Sequence, residues 1–263
     1  MKKLFTLIFF ILFTLTTSGQ VYTDIKQYSD MGLDISQLHP QDLLNMGLGN
    51  CDLELIKSAI AKGADINYIE EINGQFPLCS AIIFAGNARF PDEESTLTTQ
   101  IRDYGDAVFS GRSVSDLRRD YIEIIRFLFQ KGAKVNVPSD LYYYEKIPFL
   151  IASHNRDIEI INMLLDYNAD PNTRDNSGWT ALHASGGFEY FGYPYKNSSE
   201  IAKLLISKGA KMIKDNLGQT PLTNAKSNLD AIQSDTYSDL RTYQFYNELV
   251  NSLKSLIDFY SKL

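Results

Sequence analysis

The chain has 263 residues, 44% of them hydrophobic, enough to bury a sizeable core. Its formal charge is −7 and its pI about 5.0. That balance argues against nucleic acid and anionic membrane surfaces as partners.

Residues 1–19 read as a segment apart from the fold. Lys2 and Lys3 form a short positive region, and 4–15 is an apolar run too short for a comfortable membrane span. Thr17-Ser18-Gly19 offers small residues for cleavage before Gln20. This is the pattern of a signal peptide of bacterial style, and it implies a periplasmic or secreted protein. An uncleaved anchor is the alternative. No Cys sits near the cleavage point, which argues against a lipoprotein.

Residues 20–40 are a lead-in without a clear period, and from Gln41 the pattern turns helical. Leu43, Leu44 and Met46 lie on a short helix that Gly47 and Gly49 are expected to close. Leu53, Leu55, Ile56, Ala59 and Ile60 mark a second helix, ended by Gly63. The next pair has an inner helix over 77–85 and an outer one over 121–130. Between them lies an insertion, 87–119, with short helices expected over 97–104 and 113–119. Such insertions are tolerated because loop closure costs grow slowly with length, and long ones often carry function.

Residues 144–176 form an uninterrupted pair. Its outer helix carries Ile158, Ile160, Ile161, Met163, Leu164 and Leu165 on more than one face, as a helix packed between neighbours does. The fourth pair, 177–216, holds a second insertion at 187–198. Phe188, Tyr190, Phe191, Tyr193 and Tyr195 crowd it, and Gly187, Gly192 and Pro194 rule out a regular helix. The last pair starts at Gly218. Its outer helix places Tyr246, Leu249, Val250, Leu253, Leu256, Ile257 and Tyr260 on one stripe with a polar back, the pattern of a terminal cap.

Two linked motifs recur through these pairs. Asn176-Ser177-Gly178 supplies a tight turn, and Thr180-Ala181-Leu182-His183-Ala184 approaches T-P-L-H-x-A, with Ala for Pro and no spacer before the second Ala. Gln219-Thr220-Pro221-Leu222-Thr223 is a second copy, and Phe76-Pro77-Leu78-Cys79 and Ile147-Pro148-Phe149-Leu150 are degenerate ones. The outer helices end in Gly63-Ala64-Asp65-Ile66-Asn67, Gly132-Ala133-Lys134-Val135-Asn136, Asn168-Ala169-Asp170-Pro171-Asn172 and Gly209-Ala210-Lys211-Met212. Pro148 and Ala181 stand one period of about 33 residues apart. On these motifs the chain resembles an ankyrin repeat protein. The resemblance implies an all-α ankyrin-repeat solenoid of about five helix-turn-helix units over 41–263, with long insertions and capping ends. It also implies a non-enzymatic scaffold that binds another protein through its turn tips and concave face.

The chemistry-bearing residues fit no catalytic constellation, and none is assigned as catalytic. His39, His154 and His183 lack metal-ligand spacing to one another or to a Cys, so no metal or cofactor is expected. His183, inside the repeat motif, is expected to hydrogen-bond a neighbouring turn. Cys51 and Cys79 fall at opposite ends of the helical layer, separated by about 13 Å along an inner helix, too far for a disulfide. Candidate partner contacts are Trp179 with Tyr142, Tyr143 and Tyr144 at the tips, and the aromatic insertion Phe188, Tyr190, Phe191, Tyr193 and Tyr195. Trp179 and Tyr144 are expected side by side in adjacent units. The expected partner is another protein and the chain is expected to be a monomer, with no nucleic acid and no membrane contact after leader cleavage. Inhibition of an exported toxin or enzyme is one form of this reading, and the acidic charge suits a basic target. The alternative is an enzyme or small-ligand site on 87–119, built from groups such as Asp92, Glu93, Arg102, Asp103 and Arg112.

Overall fold

A computed structural model describes residues 34–69, 76–88, 113–137, 146–186, 198–234 and 246–263. After a short 3-10 turn, Ile35–Gln37, the helices are α1 Pro40–Gly49, α2 Leu53–Ala61, α3 Pro77–Asn87, α4 Val114–Gln130 and α5 Pro148–His154. They continue as α6 Ile158–Asp166, α7 Ala181–Gly186, α8 Ser198–Ser207, α9 Pro221–Gln233 and α10 Tyr246–Tyr260. Each odd-numbered helix packs on the even-numbered one that follows it. The odd-numbered helices also pack on one another in chain order, so they form an inner row with the even-numbered helices outside. No strand occurs among the described residues.

Local chemistry sets the helix starts. Pro stands in the first turn of α1, α3, α5 and α9, where its missing N–H costs nothing. Asp52, Ser113, Asp157 and Thr220 each accept a hydrogen bond from an amide three residues on, capping α2, α4, α6 and α9. The outer helices stop by one shared device. Gly63, Gly132 and Gly209 have φ of 97°, 90° and 92°. The following alanines, Ala64, Ala133 and Ala210, donate back to the carbonyls of Ala59, Leu128 and Leu205. Asn168, at φ 61°, does the same for α6, with Ala169 donating to Leu164. This is the Schellman closure, and Asn tolerates its left-handed residue better than any other non-Gly type.

One apolar core runs through all five helix pairs, from Leu43 and Leu44 in α1 to Leu256 and Tyr260 in α10. Every residue of α5 and α7 is buried, so these two short helices are the centre of the stack. A smaller cluster, Ile232, Leu249, Val250 and Leu253, joins the far halves of α9 and α10. The stripe on α10 faces inward at Leu249, Val250, Leu253, Leu256 and Tyr260, as a terminal cap requires. Tyr260 is tied down by its hydroxyl, which donates to Leu182 O at 2.9 Å and lies 2.6 Å from Ser185 Oγ.

Two boundaries differ from the sequence reading. Gly47 lies inside α1 rather than closing it, while Gly49 is its last residue. Gly47 is there for proximity: a Cβ on it would meet Ile56 Cγ1 at 2.7 Å, so the α1–α2 packing depends on its absence. Residues 114–119 are not a separate short helix in the insertion; they are the first turns of α4. The proposed short helix over 97–104 lies outside the described residues, as do the leader 1–19 and most of the lead-in.

Candidate functional site

Two tips are built on the same plan. Asp175 Oδ1 accepts from the amides of Ser177 and Trp179, each at 2.9 Å, while its own amide donates to Trp179 O at 3.0 Å. Asp215 Oδ1 accepts from Leu217 at 2.9 Å and Gln219 at 2.8 Å, and its amide donates to Gln219 O at 2.8 Å. Both carboxylates are buried beneath the turns they organise. Neighbouring tips are then tied together. The Asn216 amide donates to Ser177 O at 3.0 Å, its side chain to Asn176 O at 2.9 Å, and Arg174 Nη2 to Lys214 O at 3.1 Å. Gly178, at φ 81°, has Arg174 and Asn216 so close that an added Cβ would fall within 2.6 Å of both. The outcome is a fixed edge from which Leu217 projects, 85% exposed.

Behind the tips sits an aromatic stack. The indole of Trp179 stacks with the ring of His154, at 6.2 Å and 4°, and with that of His183, at 5.9 Å and 22°. His183 is fully buried. Its Nδ1 accepts from the Thr180 amide at 3.2 Å, which leaves the proton on Nε2 to be donated to Gln219 O at 3.1 Å. Thr180 Oγ1 lies 3.0 Å from the same Nδ1. Burial holds the His183 pKa below its ordinary value, so the ring stays neutral and links one unit to the tip of the next.

On the other side of the tips, the turns that close the outer helices form a ladder. The Asn67 side chain donates to Gly132 O at 3.2 Å and accepts from the Lys134 amide at 2.7 Å. Asn136 repeats this on Asn168 O and the Asp170 amide, at 2.8 and 2.9 Å. Asn172 repeats it on Gly209 O and the Lys211 amide, at 3.0 and 2.8 Å. The equivalent position in the fourth unit is Ile213, and there the ladder ends. An open polar cleft of about 770 Å3 lies between this ladder and the tips, with Asp170, Asn172, Arg174, Asn176 and Asn216 in its wall.

Of the sequence-derived contact candidates, Trp179 is in this region, half-buried rather than projecting. Tyr142, Tyr143, Tyr144, Phe188, Tyr190, Phe191, Tyr193 and Tyr195 lie outside the described residues. The start of α5 at Pro148 and of α7 at Ala181 makes Lys146 the equivalent of Trp179; Tyr144 stands two places earlier. His183 makes the expected turn contact. His39 caps α1, its Nδ1 accepting from the Gln41 amide at 3.2 Å. Cys51 and Cys79 are both buried thiols. Among the described residues, no group of three or more His, Cys, Asp or Glu could hold a metal ion, and no helix is long and apolar enough to cross a membrane. Asp92, Glu93, Arg102, Asp103 and Arg112, the groups of the alternative ligand site, lie outside the described residues.

The sequence reading missed Leu217, whose signal was an apolar residue inside the tight turn Asn216-Leu217-Gly218. It also missed Arg118, which lies within the span assigned to the insertion. From α4, Arg118 Nη1 reaches Asp157 Oδ2 at 2.7 Å and Nη2 reaches Glu159 Oε2 at 2.9 Å, and Nη1 donates to Ala85 O at 3.0 Å. It therefore pins the second unit to the third.

The sequence comparisons agree with this architecture. A family model described as ankyrin repeats (3 copies) matches residues 117–191 and 150–234. A putative ankyrin repeat protein of Acanthamoeba polyphaga mimivirus is 35% identical over 95 residues, which make up 35% of this chain and 14% of that protein. The chain thus spans a small part of the length of this curated relative. Ankyrin repeats generally mediate protein–protein interaction, and the family is typically non-enzymatic. Joined to the paired helices, the left-handed closures and the bonded tips, the matches show ankyrin repeats over 117–234 and an all-α ankyrin solenoid as the fold.

Proposed function

We propose that the chain is a non-enzymatic scaffold that works outside the cytoplasm and binds one partner protein through its tips and the concave inner-helix face. Blocking an exported enzyme or toxin is the most specific form of this reading. The observation that carries it is Leu217, a large apolar side chain 85% exposed on a turn already fixed by Asp215 and by the neighbouring tip. A side chain on a pre-ordered turn loses little backbone freedom on binding. Ile69, 39% exposed beyond the first unit's closure, adds apolar area toward the other end of the stack. The apolar leader 1–19 supports the location.

The test is affinity capture from an envelope extract with the mature chain, run beside a Leu217→Asp variant and followed by mass spectrometry. A protein retained by the wild type and lost by the variant is the expected result. Retention equal on both would remove the tips from the function. Full-length mass, with residues 1–19 still attached in the exported fraction, would contradict leader cleavage.

A further inference from the structure

The net charge of −7 describes the molecule as a whole, and one edge of the stack has the opposite sign. Immediately before the left-handed residue that closes each outer helix stand Lys62, Lys131, Tyr167 and Lys208. Two residues beyond that closing residue stand Asp65, Lys134, Asp170 and Lys211. The asparagine ladder fixes the second row, because the amides it binds are those of Lys134, Asp170 and Lys211 themselves. Lys214 extends this edge toward the last tip, where its carbonyl holds Arg174. All six lysines are exposed. Among the described residues the ion pairs lie elsewhere, on Lys57, Arg118, Arg119, Arg126 and Lys262, and none involves the six.

A lysine directly after the last turn of a helix complements the helix dipole, which accounts for Lys62, Lys131 and Lys208. It does not account for Lys134, Lys211 and Lys214, which lie past the end of the helix. Their backbones are bonded from unit to unit and their ammonium groups are left to solvent. The polar cleft between this edge and the tips brings the Arg174 guanidinium to the same side.

We propose that this turn edge docks an acidic polypeptide segment, whose carboxylates meet Lys131, Lys134, Lys208, Lys211 and Lys214 with Arg174 at the cleft. This names the chemistry of the partner and rests on the scaffold reading above. Charge complementarity selects the segment and speeds its encounter, and Leu217 supplies the adjoining apolar contact.

The experiment is fluorescence anisotropy of the mature chain with a labelled oligo-glutamate peptide, at low and at physiological salt. Parallel titrations use oligo-lysine, duplex DNA and phosphatidylglycerol vesicles. The variant Lys134→Glu, Lys211→Glu, Lys214→Glu is compared with a control reversed on the C-terminal pair, Lys226→Glu, Lys254→Glu. Binding of the acidic peptide that weakens with salt and falls about tenfold or more in the first variant only is the expected result. If the reversed variant fails to melt like the wild type, the same lysines changed to Gln carry the test. Equal loss in both variants, no binding of the acidic peptide, or tighter binding of DNA or vesicles would overturn the proposal. A captured protein that depends on Leu217 but not on the lysines would overturn it and leave the scaffold reading standing; no captured protein at all would count against the scaffold reading.

Discussion

His183 shows how one side chain joins local and global structure. Its two ring nitrogens serve two units at once, the Thr180 amide in its own and Gln219 O in the next. Burial lowers its pKa below 6.5, the value of an unperturbed His. The unfolded chain therefore binds this proton more readily than the folded one. The contribution of His183 to stability is fully present above pH 6.5 and is lost as pH falls from there through the lower folded value. Urea midpoints should drop from pH 7 toward pH 5, and His183→Asn, which keeps polar atoms without a titration in this range, should flatten that drop. An unchanged slope in the variant would assign the pH dependence to other groups. The asparagine ladder makes a second residue-scale prediction. Asn172→Ala removes two hydrogen bonds between the third and fourth units and should cost about 1–2 kcal/mol. Ile213→Asn, at the matching place past the end of the ladder, should not add comparable stability.

Among the helices, stability should follow position in the stack. Leu164 of α6 is fully buried, in a unit with neighbours on both sides. Leu164→Ala should destabilise by about 2–5 kcal/mol, because little relaxation is open to it. Lys254 lies on the exposed back of α10, and Lys254→Ala should change stability by under about 0.5 kcal/mol. Denaturant titration of both variants decides this, and equal effects would place α10 inside the stack rather than at its end. Cys79, wholly buried in α3 with its thiol pKa pushed far up by desolvation, should resist a thiol reagent until the chain unfolds. The helices themselves were legible from sequence because their signals are local: a proline or capping residue at the start, and a Gly-Ala or Asn-Ala closure at the end. The stripe on α10 was legible for the same reason. Gly47 misled because a glycine that stops a helix and one that admits a neighbour look alike until Ile56 is placed. The helix over 113–119 was read apart from the one over 121–130, and what holds its turns to the third unit is non-local: Arg118 acts on Asp157 and Glu159, residues 39 and 41 positions away.

At the scale of the molecule, the repeat period placed α5–α8 correctly, and the matched repeats at 117–191 and 150–234 fall on the same part of the chain. The tips were harder to read. Trp179 carries the residue type expected of a contact, yet it stacks with two imidazoles, and Leu217 is the side chain that projects. Exposure depends on place within the turn, and composition does not report that: Leu217 stands two residues past its organising carboxylate, Asp215, and Trp179 four past Asp175. The central proposal is that a partner protein covers the tips and the edge beside them. Amide hydrogen exchange of the mature chain, with and without its captured partner, tests this most directly. Slowed exchange is expected at 174–179 and 214–219, with the inner-helix amides of α5 and α7 little changed because they are already buried. Protection confined to 89–112 or 187–197, with the tips exchanging as in the free protein, would contradict it.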